Sequence, residues 1–171
     1  MIAKGIEYNI PVWIVSIDLK KAFDRINHEA LFKALAEQNL DDEHLALLQC
    51  LYKHQRGIVG EYNFPIIRGV RQGDVLSLLL FNAVLQHAME KWQHQLVDEG
   101  FALSLDSTCP RLTNIRYADD LLLFGKSLSE VVSMLERLAG ILKLYGLELN
   151  MKKTKNDEYR KSNRGNPHLH H

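Results

Sequence analysis

The sequence has few cysteines and no long apolar run, and these absences exclude two classes of protein at the outset. Cys50 and Cys109 are the two cysteines among 171 residues, and neither has a second cysteine at metal-ligand spacing. A disulfide framework is therefore not indicated, and both are interpreted as thiols of a reducing compartment. The densest apolar segment, Val75 to Val84, contains Ser77 and Asn82 and is too short to span a membrane.

The chain also lacks an excess of charge of either sign, with 21 basic and 21 acidic residues. A protein that binds the nucleic-acid backbone by itself usually presents a positive surface, so neutrality argues mildly against autonomous binding of nucleic acid. The N-terminus carries no apolar signal core, and we expect an intracellular protein of the nucleus or cytoplasm, not a secreted one. A hydrophobic content of 46% is that of an ordinary globular domain.

What the sequence does have is a pair of adjacent carboxylates within an apolar segment. Asp119 and Asp120 immediately precede the run Leu121 to Phe124. Adjacent acids repel each other and resist burial unless a cation or a solvated turn compensates them. A third acid, Asp18, ends the strand-like run Val12 to Ile17. If the fold brings these acids together, they form the kind of site that binds magnesium ions for phosphoryl or nucleotidyl transfer.

A second acidic pair, Asp41-Asp42, serves as an internal comparison. It precedes a helical pattern, where carboxylates satisfy free N–H groups and the helix dipole. Asn27 is a second N-cap candidate, Ser127 and Glu130 have the spacing of a capping box, and Gly146 is a C-terminal cap. Capping thus explains Asp41-Asp42, whereas the acids at 119 and 120 are followed by strand-like residues.

Hydrophobic periodicity predicts an α+β fold. The expected elements are a strand at Val12–Ile17, helices after Asn27 and Asp41, a hairpin at Gly57–Ile67 with Gly60 and Asn63 as turn residues, a long helix at Val75–Val97, a hairpin of Leu112–Tyr117 and Leu121–Phe124, a helix after Ser127 and a short strand at Leu147–Leu149. The centre reads βαββαβ, a ferredoxin-like antiparallel sheet with helices packed on one face. Residues 156–171 are expected to be a polar, disordered tail.

Four motifs of the sequence resemble, in their order along the chain, those of reverse transcriptases. They resemble most the enzymes of non-LTR retrotransposons and group II introns. They are Asp18–Asp24 (DLKKAFD), Arg71–Ser77 (RQGDVLS), Tyr117–Asp120 (YADD) and Gly146–Lys155 (GLELNMKKTK). The resemblance implies a polymerase palm with part of the fingers in residues 1–155. It also implies an RNA-directed DNA polymerase that uses two Mg²⁺ or Mn²⁺ ions, with an RNA template, a DNA primer and dNTPs as partners and no membrane.

The resemblance also implies catalytic roles for particular residues. Asp18 and Asp119 would bridge the two metals, with Asp120 as a weaker ligand and the carbonyl of Leu19 as a further one. One metal would lower the pKa of the primer 3′-hydroxyl, and the other would neutralise the triphosphate and its leaving group. Lys153 would donate a proton to pyrophosphate. The alternative for Lys153 is an ordinary solvated lysine.

Four further residues are expected to bind the nucleotide, each beside a plain structural alternative. Phe23 occupies the family's gate against a 2′-hydroxyl, and it also suits a core aromatic at a strand-to-helix corner. Gln72 and Gly73 would lie against the incoming base pair, or form a simple polar turn. Arg71 is a phosphate-contact candidate, or a solvated surface residue.

The sequence departs from the family pattern in two ways. Val75 and Leu78 stand where proline is common, and basic fingers and a thumb have no counterpart, so we expect a truncated copy. The alternative function is a catalytically inactive relic palm that binds RNA weakly. Such a module would use exposed stacking aromatics, for which Tyr117 and Phe124 are the candidates.

Overall fold

The computed structural model of the chain describes residues 12–71, 73–102, 111–117 and 120–159, the last five of these by their backbone path. The strands are β1 (Val12–Ile17), β2 (Arg56–Val59), β3 (Tyr62–Pro65), β4 (Phe101–Ala102), β5 (Arg111–Leu112), β6 (Asn114–Tyr117), β7 (Asp120–Gly125) and β8 (Lys155–Tyr159). The helices are α1 (Ala22–Arg25), α2 (His28–Glu37), α3 (Asp42–Lys53), α4 (Val75–Gln93) and α5 (Leu128–Leu144). The mixture of helix and sheet agrees with the predicted α+β class.

The central sheet has four strands in the order β6-β7-β1-β8, and every neighbouring pair is antiparallel. Two small antiparallel ribbons, β2–β3 and β4–β5, lie outside it. In the pairing of β1 with β7, Ile17 lies opposite Leu121 and Ser16 opposite Leu122. This register brings the end of β1 beside the start of β7, where two of the predicted acids are found.

The hydrophobic core lies between the sheet and the helices. Helical periodicity puts Phe81, Leu85, Ala88, Trp92 and Leu96 on one face of the long helix. The first four are buried, and Leu96 lies beyond the end of the helix and is partly buried. The Trp92 indole donates a hydrogen bond of 3.0 Å to the carbonyl of Met134 in α5, which ties the two longest helices together. Among the described residues, no helix is both long and apolar enough to cross a membrane.

The first turns of α4 are less buried than the sequence predicts. The apolar run there suggests burial on all sides, yet Val75 is 79% exposed and Leu79 is 61% exposed. The helix packs through one face against α2 and α5, so residues on its other face are left to solvent. It also ends at Gln93, earlier than the predicted Val97, because His94 already caps its last turn.

The pleat of the sheet sorts the strand residues between its two faces. Val15 and Ile17 of β1, and Leu123 of β7, belong to the core beneath the helices. The alternate residues belong to the opposite face, where Phe124 packs with Val12 and the short strand β4. Phe124 is therefore 3% exposed, and the expectation that it is an exposed stacking aromatic is wrong.

Three predicted helix caps are confirmed. The side chain of Asn27 accepts hydrogen bonds from Glu29 N and Ala30 N, that of Asp41 accepts from His44 N, and that of Ser127 accepts from Glu130 N. Gly146 has a φ of 80° after the last helix, as a C-terminal cap requires. The pair Asp41-Asp42 is thus explained by local structure.

The hairpin between α3 and α4 is predicted at Gly57–Ile67 and runs from Arg56 to Pro65, and one of its two predicted turn residues is wrong. Val59 pairs with Tyr62, which leaves Gly60 and Glu61 as the two-residue turn. Asn63 lies within β3 opposite Ile58, and it accepts a hydrogen bond from Arg56 Nε. A two-residue turn suffices because Gly60, with φ 61°, adopts the left-handed conformation that such turns need.

The fourth strand of the sheet differs from the predicted tail. Residues 155–159 form β8, which pairs with β1 from Ser16 opposite Lys155 to Val12 opposite Tyr159. This strand has a polar sequence and no apolar alternation, so the periodicity gives no sign of it. Main-chain hydrogen bonds to the edge of β1 hold it, and these do not depend on side-chain type. The remainder of the predicted tail lies outside the described residues.

One ion pair on the surface is expected to make the stability of the fold depend on pH. Arg137 of α5 donates to the carboxylate of Glu99, which holds the pKa of Glu99 at about 2. Because the folded-state pKa is depressed, the stabilisation is complete above about pH 4.5 and is lost as the pH falls toward 2. Glu99→Gln should therefore lower the free energy of unfolding by about 1 kcal/mol at pH 7. Urea denaturation between pH 2 and 7 measures the difference, which should shrink in that acid window.

Glu136→Gln, at an exposed position of α5 next to Arg137, is the matched control for removal of one surface charge. The difference in free energy of unfolding between Glu136→Gln and the wild type should not shrink between pH 4.5 and 2, as that of Glu99→Gln should. A difference for Glu99→Gln that stays constant down to pH 2 would contradict the assignment of the low pKa to this ion pair.

Candidate active site

Asp18 is the best-defined predicted site residue. It follows the last residue of β1, and its side chain is 26% exposed. Its Oδ2 atom accepts a hydrogen bond of 2.8 Å from Asn150 Nδ2 and lies 3.4 Å from Lys153 Nζ. Its main-chain carbonyl accepts from Asn150 N at 2.8 Å. The carboxylate is therefore held in place by the segment that follows α5, and a cation already lies against it.

Asp120 is the second predicted acid that the structure describes. It begins β7, where it is exposed and pairs with Tyr117 of β6. The β1–β7 register ends with Ile17 opposite Leu121, so Asp18 and Asp120 come next at the same end of neighbouring strands. By the pleat they share the sheet face opposite the helices.

The third predicted acid, Asp119, lies outside the described residues. Within the residues that are described, no three His, Cys, Asp or Glu side chains cluster closely enough to hold a metal ion. The predicted set of three carboxylates is thus represented there by two acids on adjacent strand ends. Tyr117, the predicted nucleic-acid contact, is 83% exposed at the end of β6.

A cavity of about 440 Å³ collects several of the predicted residues. Asp18, Leu19, Phe23 and Lys153 all line it, together with Asn150. The Phe23 ring is half-buried and stacks on Phe81 with ring centroids 4.7 Å apart. Phe23 therefore both lines the cavity and packs on the core, so its two sequence interpretations are compatible.

The glycine-bounded loop that precedes α4 is fastened to α1 by two backbone hydrogen bonds. Gly69 N donates to Ile26 O at 2.8 Å, and Val70 N donates to Phe23 O at 2.7 Å. A Cβ on Gly69 would lie 2.9 Å from the carbonyl oxygen of Asp24, and its φ is 84°, so only glycine allows this approach.

Of the other predicted nucleotide-binding residues, Arg71 and Gly73 are described, and neither lines the cavity of Asp18 and Phe23. Arg71 lines a neighbouring cavity of about 370 Å³ on the Asp24 side of α1. Gly73 has a φ of 88° and open space where a side chain would be. Gln72 lies outside the described residues.

The sequence assigns no role to Asn150 and gives no sign of the partner of Arg25. Asn150 belongs to the GLELN run but signals no chemistry by type, and only its contact with Asp18 reveals its importance. Arg25 donates to Glu148, which also lies 3.7 Å from Lys20 Nζ. The signal for that pair is absent from local sequence because the two residues are distant in the chain.

Comparison with solved structures places this architecture among known folds. The chain is similar to a telomerase from Candida albicans, solved in complex with a TWJ fragment of telomeric RNA, with a TM-score of 0.65. The match has 18% sequence identity and covers 97% of this chain and 30% of the telomerase chain. At this identity the likeness shows a shared fold.

The family follows from the sequence itself. The model of the family described as "Reverse transcriptase (RNA-dependent DNA polymerase)" matches residues 8–161. The chain therefore belongs to the reverse transcriptase family, a family of nucleotidyltransferases, as the four motifs implied.

Its relatives include Pol polyproteins of the retrotransposable element R2. The chain is 31% identical over 155 residues to one from Popillia japonica and 29% identical over 148 residues to one from Nasonia vitripennis. These matches cover 88% and 83% of this chain. The chain spans only 24% and 14% of the length of these two relatives.

Proposed function

We propose that this chain is the palm of an RNA-directed DNA polymerase, which extends a DNA primer on an RNA template by nucleotidyl transfer from dNTPs. One observation carries the proposal: the carboxylate of Asp18 shares a cavity with Lys153 and with the ring of Phe23. In the proposed reaction the acid would bind metal, the lysine would donate a proton, and the rigid ring would select the nucleotide. The strand order β6-β7-β1-β8, in antiparallel pairing, supports a βαββαβ palm.

The oxygen donors of this region fit a divalent metal ion. Asp18 presents a partly exposed carboxylate to the cavity, and Leu19 also lines it. Hard oxygen ligands of this kind suit Mg²⁺ or Mn²⁺. We propose that Asp18, Asp119, Asp120 and the Leu19 carbonyl hold two such ions. Bound there, the ions would activate the primer hydroxyl and neutralise charge on the triphosphate.

Lys153 would have two roles in the same cavity. Its ammonium lies 3.4 Å from Asp18 Oδ2, so it compensates the negative charge of the carboxylate. A lysine is protonated at neutral pH, and Lys153 therefore has a proton to give to the leaving pyrophosphate. With 68% of its side chain exposed, it keeps the freedom to move from the acid to a substrate phosphate.

Phe23 is proposed to select deoxynucleotides. Its ring forms part of the cavity wall and is backed by Phe81, so it cannot easily turn aside to admit a 2′-hydroxyl. Tyr117 is proposed to contact the nucleic acid through its exposed ring.

The alternative of a relic palm that binds RNA through the sheet finds less support. Such sheets expose two or more stacking aromatics. Of the two candidates, Tyr117 is 83% exposed, whereas Phe124 is 3% exposed and packs against Val12. One exposed ring gives a weak platform, and the acids Asp18 and Asp120 on the same face repel phosphate unless a cation compensates them.

Primer extension on an RNA template tests the proposal directly. Purified chain is incubated with an annealed RNA template and DNA primer, Mg²⁺ or Mn²⁺, and either dNTPs or rNTPs. We expect extension that requires both the divalent metal and dNTPs, with little or none from rNTPs. Binding of the duplex without extension at any metal concentration would favour the relic instead.

A further inference from the structure

Two adjoining cavities beside the end of α1 carry an excess of positive charge. The first, of about 370 Å³, is lined by Arg68, Arg71 and Asp24. The second, of about 210 Å³, is lined by Arg25, Arg68, Lys143 and Glu148. Arg68 belongs to both, so the cavities form one continuous basic surface of four cations and two carboxylates, in a chain whose net charge is zero.

The cations of this surface come from three separate segments that backbone hydrogen bonds fix together. The Arg68 segment is joined to α1 by the bond from Gly69 N to Ile26 O. The residue after α5, Tyr145, is joined to the N-cap of α2 by the bond of 3.0 Å from Asn27 N to Tyr145 O. The spacing of Arg68 and Lys143 is therefore set by the main chain.

Two of these cations are available to a ligand. Among the described residues, neither Arg68 nor Lys143 forms a side-chain hydrogen bond or an ion pair, and both are exposed. The two carboxylates do not neutralise them. Glu148 is already engaged by Arg25 and Lys20, and among the described residues no ion pair joins Asp24 to Arg68 or Lys143.

Lys143 offsets part of the negative end of helix α5. Helix C-termini normally present unpaired carbonyls and a partial negative charge. In this helix two of those carbonyls are hydrogen-bonded, because Tyr145 N and Leu147 N donate to Leu142 O and Gly146 N donates to Lys143 O. The Lys143 ammonium adds positive charge at the same end.

We propose that Arg71, Arg68 and Lys143, supported by Arg25, form a path for the phosphates of a nucleic-acid strand that leaves the Asp18 cavity past α1. Arg71 is the end of this path nearest the cavity, since its loop is bonded to the carbonyl of Phe23. The path supplies local positive charge, although the net charge of the whole chain is zero. It rests on the proposed polymerase function for the identity of its ligand, and it adds Arg68 and Lys143 to the residues that contact the strand.

Binding of RNA in the absence of divalent metal tests the path without using catalysis. A fluorescein-labelled single-stranded RNA oligonucleotide is titrated with the full chain in EDTA, by fluorescence anisotropy at several KCl concentrations. Arg68→Gln and Lys143→Gln should each weaken binding several-fold, whatever the RNA sequence. Each should also reduce the slope of log K against log[salt] by about 0.7, the value expected for one lost phosphate contact on a single strand.

The matched control is Lys126→Gln, just before the other end of α5, about 25 Å from Lys143 at the rise of a helix. Lys126 donates to the carbonyl of Asp98 and should leave affinity and salt slope unchanged. Lys143 is fully on the surface, so its variant stays informative even if Arg68→Gln perturbs the fold.

Two results would overturn the path. If both variants bind RNA with the affinity and salt slope of the wild type, the surface does not contact the strand. If millimolar inorganic phosphate displaces the RNA from the wild type but not from the variants, the cavities are a small-anion site. If the chain fails to extend a primer but Arg68→Gln and Lys143→Gln still weaken RNA binding, the polymerase proposal is wrong and the path is retained.

Discussion

Asp18→Asn is expected to reduce primer extension by about a thousandfold or more, because a carboxylate ligand to a catalytic metal contributes several kcal/mol to the transition state. Asparagine keeps the size of the side chain and can still accept the hydrogen bond from Asn150 Nδ2. The variant therefore removes the negative charge and little else. The loss of the Lys153 ion pair should cost little stability, since that pair is largely exposed.

A second measurement separates loss of the metal from other causes of inactivity. In the wild type, Mn²⁺ should broaden the side-chain amide NMR signal of Asn150 early in a titration, because its Nδ2 lies 2.8 Å from Asp18 Oδ2. In Asp18→Asn this broadening should require much more Mn²⁺.

The control variant is Asp41→Asn, at the other conspicuous acidic pair. Asp41 caps α3 by accepting from His44 N at 3.0 Å, and asparagine is an equally good N-cap. It should retain both extension and Asn150 broadening. If Asp18→Asn kept extension within tenfold of the wild type, Asp18 would not be a metal ligand, and the proposed site would be wrong.

The parts of the fold that sequence reasoning predicted are those set by local chemistry. Asn27, Asp41 and Ser127 were recognised as caps because capping involves residues two or three positions away. The core face of α4 followed from its periodicity. β8 was missed because its pairing to β1 is non-local and lies in the main chain.

The site shows the same division between local and distant information. The resemblance selected Asp18, Phe23 and Lys153, and the structure puts all three on one cavity. The contact of Asn150 with Asp18 depends on how the chain returns after α5, which no residue type announces. Likewise, the packing of the end of α5 brings Lys143 toward Arg68, and two cations that look like ordinary surface residues in the sequence line the same cavity.

The turn at Gly146 sets the direction of the chain after α5, and Gly146→Ala should lower the free energy of unfolding by about 2–3 kcal/mol. Its φ is 80°, a conformation that costs a residue with a side chain about 1–2 kcal/mol. A Cβ there would also lie 2.5 Å from Arg25 O and 3.2 Å from Asn27 N. Relief of that contact must weaken the hydrogen bond from Asn27 N to Tyr145 O, at a further cost of about 1 kcal/mol.

Two other glycines separate these contributions when their alanine variants are compared by urea denaturation. Gly140 lies within α5 with nothing near its absent side chain, so Gly140→Ala should stabilise the protein by about 0.5–1 kcal/mol. Gly60 has φ 61° and open space around it, so Gly60→Ala should cost only the backbone strain of about 1–2 kcal/mol. If Gly146→Ala cost no more than Gly60→Ala, the close approach of Gly146 to α1 would contribute nothing, and the turn would not fix the segment that carries Asn150 and Lys153.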